Sequence, residues 1–277
     1  MRNKPKVKPG TAAVYAALIA GSAIMLIPFL WMILTSFKTY KETITLPIIW
    51  LPSQWKFDNY VTVLKKLDFL RYYRNTILVT FTTVTVMTFL ASLAAFTFAR
   101  MDFPGKNLLF GLLLVVYMVP PQMTMLPKYI MISRAGWVDT LKGIVIPNLF
   151  SVYTCFMLRQ FFSSLPKDLD DAAKLDGCSF FQIYWRIDLP LCKNGLIAIT
   201  VLNVLWSWND LLWPLLATST DKMRVLSVAI ATMQSSQGTE YQLLMAAGVL
   251  AILPMFVMYA ICQNYFMEGV AYSGTKG

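Results

Sequence analysis

Six long apolar runs constrain this chain more than any other feature. In a bilayer every backbone N–H and C=O must find its partner within the protein, so a lipid-embedded segment folds as a helix or as part of a closed barrel. A helix needs about 20 mainly apolar residues to cross. The runs are Pro9–Phe37, Asn75–Ala99, Asn107–Pro127, Gly143–Leu158, Leu196–Ala217 and Tyr241–Met267. The fourth is short, but Lys142 and Arg159 flank it and can snorkel to the interface. Only 14% of residues are charged and mean hydropathy is +0.57, whereas a soluble domain carries about 25% charged residues. The expectation is all-α: a polytopic integral membrane protein with six transmembrane helices.

The first run follows Arg2, Lys4, Lys6 and Lys8. It is longer than the apolar core of about 7–15 residues in a secretory signal, and no small-x-small site closes it, so it reads as a span. Basic residues divide evenly between the two sides of a six-span topology, mostly because the long Lys38–Arg74 loop obeys the charge rule poorly. The basic N-terminus therefore decides the orientation, and both termini are expected in the cytoplasm of a multi-pass cell-membrane protein. Residues 1–74 are expected to hold the N-terminal tail, first span and an external loop with an interfacial helix near Asn59–Leu70. Residues 75–267 would form the core and residues 268–277 a cytoplasmic tail. The net charge of +10 is scattered, which points to topology and not to nucleic acid. Four cysteines without a CxxC pair, and no histidine, suggest neither a metal site nor a disulfide framework.

Charge is concentrated in one internal stretch, residues 163–190. Pro166 suits a first helical position, and Asp168, Asp170 and Asp171 lie near the positive end of that helix dipole. Leu165, Leu169, Ala172 and Ala173 share a face at helical spacing. Gly177 can take the left-handed conformation that ends a helix. Ser179 and Gln182 form a capping box for a second helix, with Phe180, Ile183, Tyr184 and Ile187 as its apolar face and Pro190 as its stop. Two readings follow from these residues: a helix–turn–helix peg for another protein's groove, or an amphipathic loop lying on the bilayer.

The pattern Asp171-Ala172-Ala173, three residues, Gly177, then Ile187-Asp188-Leu189-Pro190 resembles the EAA loop of binding-protein-dependent ABC importer permeases. Asp171 replaces the usual Glu and Cys178 the usual Ala. Ala94–Lys106 is similar to that family's second span and its cytoplasmic turn. Val119-Pro120-Pro121-Gln122 resembles its third span. Trp208-Asn209-Asp210-Leu211-Leu212-Trp213-Pro214 resembles the fifth-span motif of carbohydrate importers, and the tail from Phe266 to Gly277 resembles the MalG-like branch. The resemblance implies a permease subunit of a carbohydrate-uptake ABC importer, with an oligosaccharide as the expected cargo. It implies a MalF-like partner permease, two ATPase subunits that bind ATP and Mg, and an extracellular solute-binding protein. This chain has no GxxxxGK[ST] loop of its own and is expected to bind no cofactor. In the resemblance, Asp170, Asp171, Ala172, Ala173, Leu175, Asp176, Gly177, Phe180, Ile187, Leu189 and Pro190 couple to the ATPase. Gln234, Ser235, Ser236, Gln237, Gly238, Thr239 and Glu240 would reach into the binding protein.

The substrate path is written more weakly. Asn203, Trp206, Asp210 and Trp213 recur at helical spacing, with Asn209 beside them, and intramembrane acids face protein or a cavity. Aromatic rings with amides and a carboxylate suit a sugar; the same residues could equally hold helices together. Tyr117, Gln122 and Tyr153 are further candidates, and Pro120-Pro121 must break the third span. Another solute (a polyol phosphate, polyamine or peptide) is the alternative cargo. An intramembrane enzyme is disfavoured, because the spans offer one acid and no histidine.

Overall fold

A computed structural model of the chain describes residues 9–234 and 238–274. Its regular elements are helical, and it divides into two compact units, residues 1–68 with 230–253 and residues 69–229 with 254–277.

In the first unit, α1 (Pro9–Ser36) leaves apolar side chains from Val14 to Ile33 uncovered, as a lipid-facing helix does. Its C-terminal end is closed by residues from the following loop. Asn59 donates through Nδ2 to the Ser36 and Lys38 carbonyls at 2.8 and 2.9 Å, which answers acceptors a helix end leaves free. Phe37 packs against Trp55, Phe57 and Tyr60. The loop carries α2 (Tyr40–Ile44), started by a Thr39/Glu42 capping box, and α3 (Asp58–Lys66), whose Lys66 pairs with Glu240. The interfacial helix is thus shorter than its apolar pattern suggested: Leu67 turns extended.

The second unit is built on α4 (Phe69–Arg100), which begins six residues before the apolar run. The third run is two helices, α5 (Lys106–Tyr117) and α6 (Pro121–Arg134), meeting at 96°. Pro120 and Pro121 supply no N–H and force the break. The fourth run also divides. A short α7 (Leu141–Val145) ends in a 3-10 turn carrying Pro147, and α8 (Val152–Ser164) restarts on the Ser151 cap, bent by 43°. The charged stretch holds α9 (Lys167–Leu175), α10 (Phe180–Ile183) and α11 (Leu189–Leu191). The fifth run is α12 (Lys193–Asn209) and α13 (Leu212–Ala217). Two further helices, α14 (Leu226–Ala231) and α15 (Tyr241–Gly274), are divided between the two units, residues 230–253 belonging to the first. By length and apolarity, three helices and three bent pairs can each supply one span, the third pair being Phe180–Leu191 with α12, which meet at 81°.

One continuous fifth helix was expected, and the interruption has a visible cause. Pro214 cannot donate to the Asp210 carbonyl, Asp210 turns extended, and that carbonyl instead accepts from the Ser227 hydroxyl at 2.6 Å. Below the break, α4, α8 and α12 pack around a core that includes Ala91, Ala95, Phe96, Leu158, Phe162 and Ile199. The same core continues into the charged stretch through Ala173, Ile183, Tyr184 and Cys192.

Candidate functional site

Two features of the second unit carry chemistry: the charged helix–turn–helix and a polar-walled cavity beside α12.

The helix–turn–helix is a rigid local structure. α9 ends in a Schellman closure: the Cys178 N–H donates to the Ala173 carbonyl at 2.9 Å and the Gly177 N–H to Lys174 at 3.0 Å. Gly177 takes φ +80°, and a Cβ there would meet nothing within 4 Å. The glycine is therefore needed for its backbone conformation and not for space. The Ser179/Gln182 capping box is present. Pro166 caps α9 and does not open it. Pro190 does not stop the second helix either. The backbone widens into a π-turn over Tyr184–Asp188, which absorbs the donor that proline lacks, and the chain turns only at Cys192.

Arg100, at the end of α4, fixes this element in place. Its Nε lies 3.1 Å from Asp188 Oδ2 and 3.3 Å from Asp170 Oδ2, and its Nη1 donates to the Leu165 carbonyl at 3.1 Å. The arginine side chain is 2% exposed. One guanidinium faces two carboxylates, and Asp170 Oδ1 and Asp188 Oδ1 have no partner. Burial, then the neighbouring Asp170, pushes the Asp188 carboxyl above its ordinary value, against the pull of Arg100. Tyr184 completes the seat, sharing a 2.7 Å hydrogen bond with Ser92 and packing its ring on Phe96 and Phe162.

This arrangement divides the coupling candidates. Asp170 and Ala173 face inward, and Ile187 and Leu189 are half-buried, so these four build the seat and not a docking surface. Asp171, Ala172, Leu175, Asp176, Gly177, Phe180 and Pro190 are exposed. Phe180 is exposed, whereas Ile183 and Tyr184 are buried. Beside it lie Phe181 and Trp185, 59% and 53% exposed, while Leu175 is 91% exposed. Phe181 and Trp185 escaped the sequence reading, although their i, i+4 spacing opposite Ile183 and Ile187 was the available signal.

The cavity has a volume of about 640 Å³ and is walled by α4, α12 and neighbouring segments. Asn203, Trp206, Asn209 and Asp210 line it together. Trp213 does not: it is buried, and its Nε1 donates to the Ile144 carbonyl at 3.2 Å. The break after Asn209 takes it off the shared face. Gln122 is exposed outside the wall, where its neighbour Pro121 contributes. Tyr153 and Tyr117 extend a row of rings from Trp206, with centroid separations of 5.1 and 6.2 Å. Thr76, Thr80 and Thr83 of α4 add hydroxyls, which the uncharged α4 run gave no reason to single out.

Of the expected binding-protein loop, Ser235, Ser236 and Gln237 lie outside the described residues. Gln234 and Glu240 are exposed and Thr239 is half-buried. Gly238 has φ +129°. Glu240 is tied to Lys66 and is not part of a free tip.

Residues 87–272 match the family described as the inner membrane component of binding-protein-dependent transport systems. The chain belongs to this family. It is 32% identical over its full length to the full-length arabinooligosaccharides transport system permease protein AraQ of Bacillus subtilis (strain 168). It is 29% identical to the diacetylchitobiose uptake system permease protein NgcG of Streptomyces coelicolor, over 93% of this chain and 86% of that one. Among solved structures, a chain of a bacterial ABC transporter involved in the import of the acidic polysaccharide alginate shares the fold. Its TM-score is 0.81 at 21% identity, over 95% of this chain and 100% of that one. Family membership makes this a multi-pass inner-membrane transport component.

Proposed function

We propose that this chain is the membrane-spanning permease subunit of an ATP-driven importer for an oligosaccharide. It forms half of the translocation path beside a MalF-like permease and receives solute from an extracellular binding protein. Two ATPase subunits, which hold ATP and Mg, drive it. Both termini are cytoplasmic, and the Gln234–Glu240 segment faces the binding protein. Relatives named for arabinooligosaccharide and diacetylchitobiose transport support the cargo class.

The observation that carries the coupling role is the outward platform of Leu175, Phe180, Phe181 and Trp185 on an internally clamped base. Large apolar side chains held in water by a rigid turn are suited to a partner's groove. The buried seat lets a push on that platform reach α4 without first deforming the loop. The test is a Leu175→Asp/Trp185→Asp double variant in the assembled complex. Both side chains are solvent-facing, so thermal stability of the membrane subunit should hold while ATPase subunits no longer co-purify and uptake stops. Normal uptake with this variant refutes the docking role. Orientation is checked with a membrane-impermeant thiol reagent, which should reach Cys178 only after the cells are opened.

A further inference from the structure

A loop that leaves a membrane-spanning helix for water is normally polar, and the one after α1 is not. Residues 43–55 carry no charge. Within them Leu46, Ile48, Trp50 and Leu51 are 55–83% exposed. Single apolar side chains on a surface need no explanation, but a run of them along one segment marks something that covers it.

The segment is held firmly and at a defined level. The Lys38 ammonium donates to the Ile49 carbonyl at 2.6 Å, and the Lys56 N–H donates to the Phe37 carbonyl at 2.9 Å. The chain around the first tie folds back along α1. The Trp50 ring meets Trp31 edge-on with centroids 5.4 Å apart, and Leu46 and Ile48 line a cavity of about 360 Å³ together with Trp31 and Thr35. Trp31 lies five residues before the end of α1 at Ser36, about 7 Å at the helical rise of about 1.5 Å per residue. Apolar faces that lie on a bilayer sink about 5–10 Å into the boundary between headgroups and acyl chains. The loop therefore reaches back by such a depth along a helix whose own Ile27, Leu30 and Ile33 are uncovered. Its apolar side chains continue the lipid-facing flank of α1.

Charge fits the same surface. Of the four charged residues between Lys38 and Phe57, three are lysines. Exposed Lys41 and half-buried Lys56 stand on either side of the uncharged stretch, placed for lipid phosphates. The one acid, Glu42, is turned onto the backbone, where its carboxylate accepts from the Thr39 and Ser53 N–H groups at 2.7 and 2.8 Å. Tryptophan rings concentrate at headgroup level, and Trp50 and Trp55 are both exposed. We propose that residues 44–57 are a membrane-surface anchor. Leu46, Ile48, Trp50 and Leu51 insert between the headgroups and upper acyl chains of the leaflet at the C-terminal end of α1.

The experiment uses the full chain, with the subunits that co-purify with it, in nanodiscs of phosphatidylethanolamine and phosphatidylglycerol. The four cysteines are replaced by alanine, and bimane is attached in turn at Leu46→Cys, Ile48→Cys or Leu51→Cys. Leu30→Cys on α1 is the lipid reference and Lys65→Cys on α3 the water reference; all five side chains are exposed, so the label does not crowd the fold. Lipids brominated high on the acyl chains should quench the three loop labels at least as strongly as the Leu30 label. Iodide in the buffer should quench them severalfold less than the Lys65 label. Iodide quenching at the Lys65 level, with none from lipid, places the loop in water and overturns the anchor. Protection from both quenchers assigns the segment to a protein partner and overturns it as well. In a Leu46→Asp/Leu51→Asp background the Ile48 label should lose its lipid quenching severalfold, while thermal stability in detergent is unchanged. Lipid quenching that persists in that background shows that the apolar side chains do not hold the loop in the bilayer, and the anchor fails.

Discussion

Replacing Arg100 by methionine should unseat the charged helix–turn–helix without disturbing the spans. Methionine keeps much of the aliphatic volume and removes the charge. The change leaves Asp170 and Asp188, 7% and 0% exposed, facing each other without a cation. Breaking a buried ion pair from one side costs about 3–5 kcal/mol. The lower end is favoured here, because Asp188 already has a raised pKa, caused first by burial and then by Asp170, and can neutralise by taking up a proton. Even about 3 kcal/mol shifts the open fraction of the seat by roughly a hundredfold. Cys192 reports on it directly. It is buried beside Asp188 and Arg100, and burial pushes its thiol up to about 12, so it should label slowly while the loop is seated. With Cys155 and Cys262 replaced by alanine, the Cys192 labelling rate in purified protein should rise about a hundredfold in Arg100→Met. The partly exposed Cys178 should change far less. A Cys192 that stays protected would show that packing alone holds the loop and that the ion cluster contributes little. Asp188→Asn is the companion. A carboxyl raised in the folded state binds its proton more tightly there than in the opened loop. Its destabilisation is therefore absent below the ordinary carboxylate value of 3.8 and grows as pH rises towards the shifted one. Asp188→Asn should remove that fall and label no faster than wild type at pH 7.

Two further outcomes separate causes that look alike. A Cβ at Gly143 would collide with the Trp137 backbone carbonyl, whereas one at Gly195 would meet the Phe161 ring at 2.8 Å. Gly143→Ala should therefore lower the melting temperature and resist rescue, while Gly195→Ala should be restored by Phe161→Leu; equal rescue of both contradicts the geometry. In the loop after α1, hydrogen bonding from Ser53 and the Thr39 cap holds the Glu42 carboxyl down at about 2, from an ordinary value of 4.5. Its contribution is complete above pH 4.5 and lost as pH falls towards 2, so hydrogen exchange of residues 39–53 in wild type should accelerate across that window and stay nearly flat in Glu42→Gln.

What the sequence made legible is the local chemistry; what it hid is who faces whom. Gly177, Ser179 and Gln182 act through bonds within a few residues, so their roles can be read from spacing alone. Pro120 and Pro121 also declare a break, but not its 96° angle, which depends on what the next helix packs against. Asp170 and Asp171 are adjacent and chemically identical. One is buried on an arginine 70 positions upstream, and the other is in solvent pairing with Lys174. Nothing within the stretch distinguishes them. Only the return of α4 to the base of the loop does. The same limit moved Trp213 off the Asn203 face: helical spacing placed them together, and a carbonyl captured by Ser227 separated them. The parts that escaped are long-range polar contacts, and these determine how force passes in the proposed importer. A peg held only by its apolar face could slide along α4 and α8. A guanidinium bonded to both ends of the peg and to the Leu165 carbonyl fixes its register, so a displacement at Trp185 has to move α4 with it.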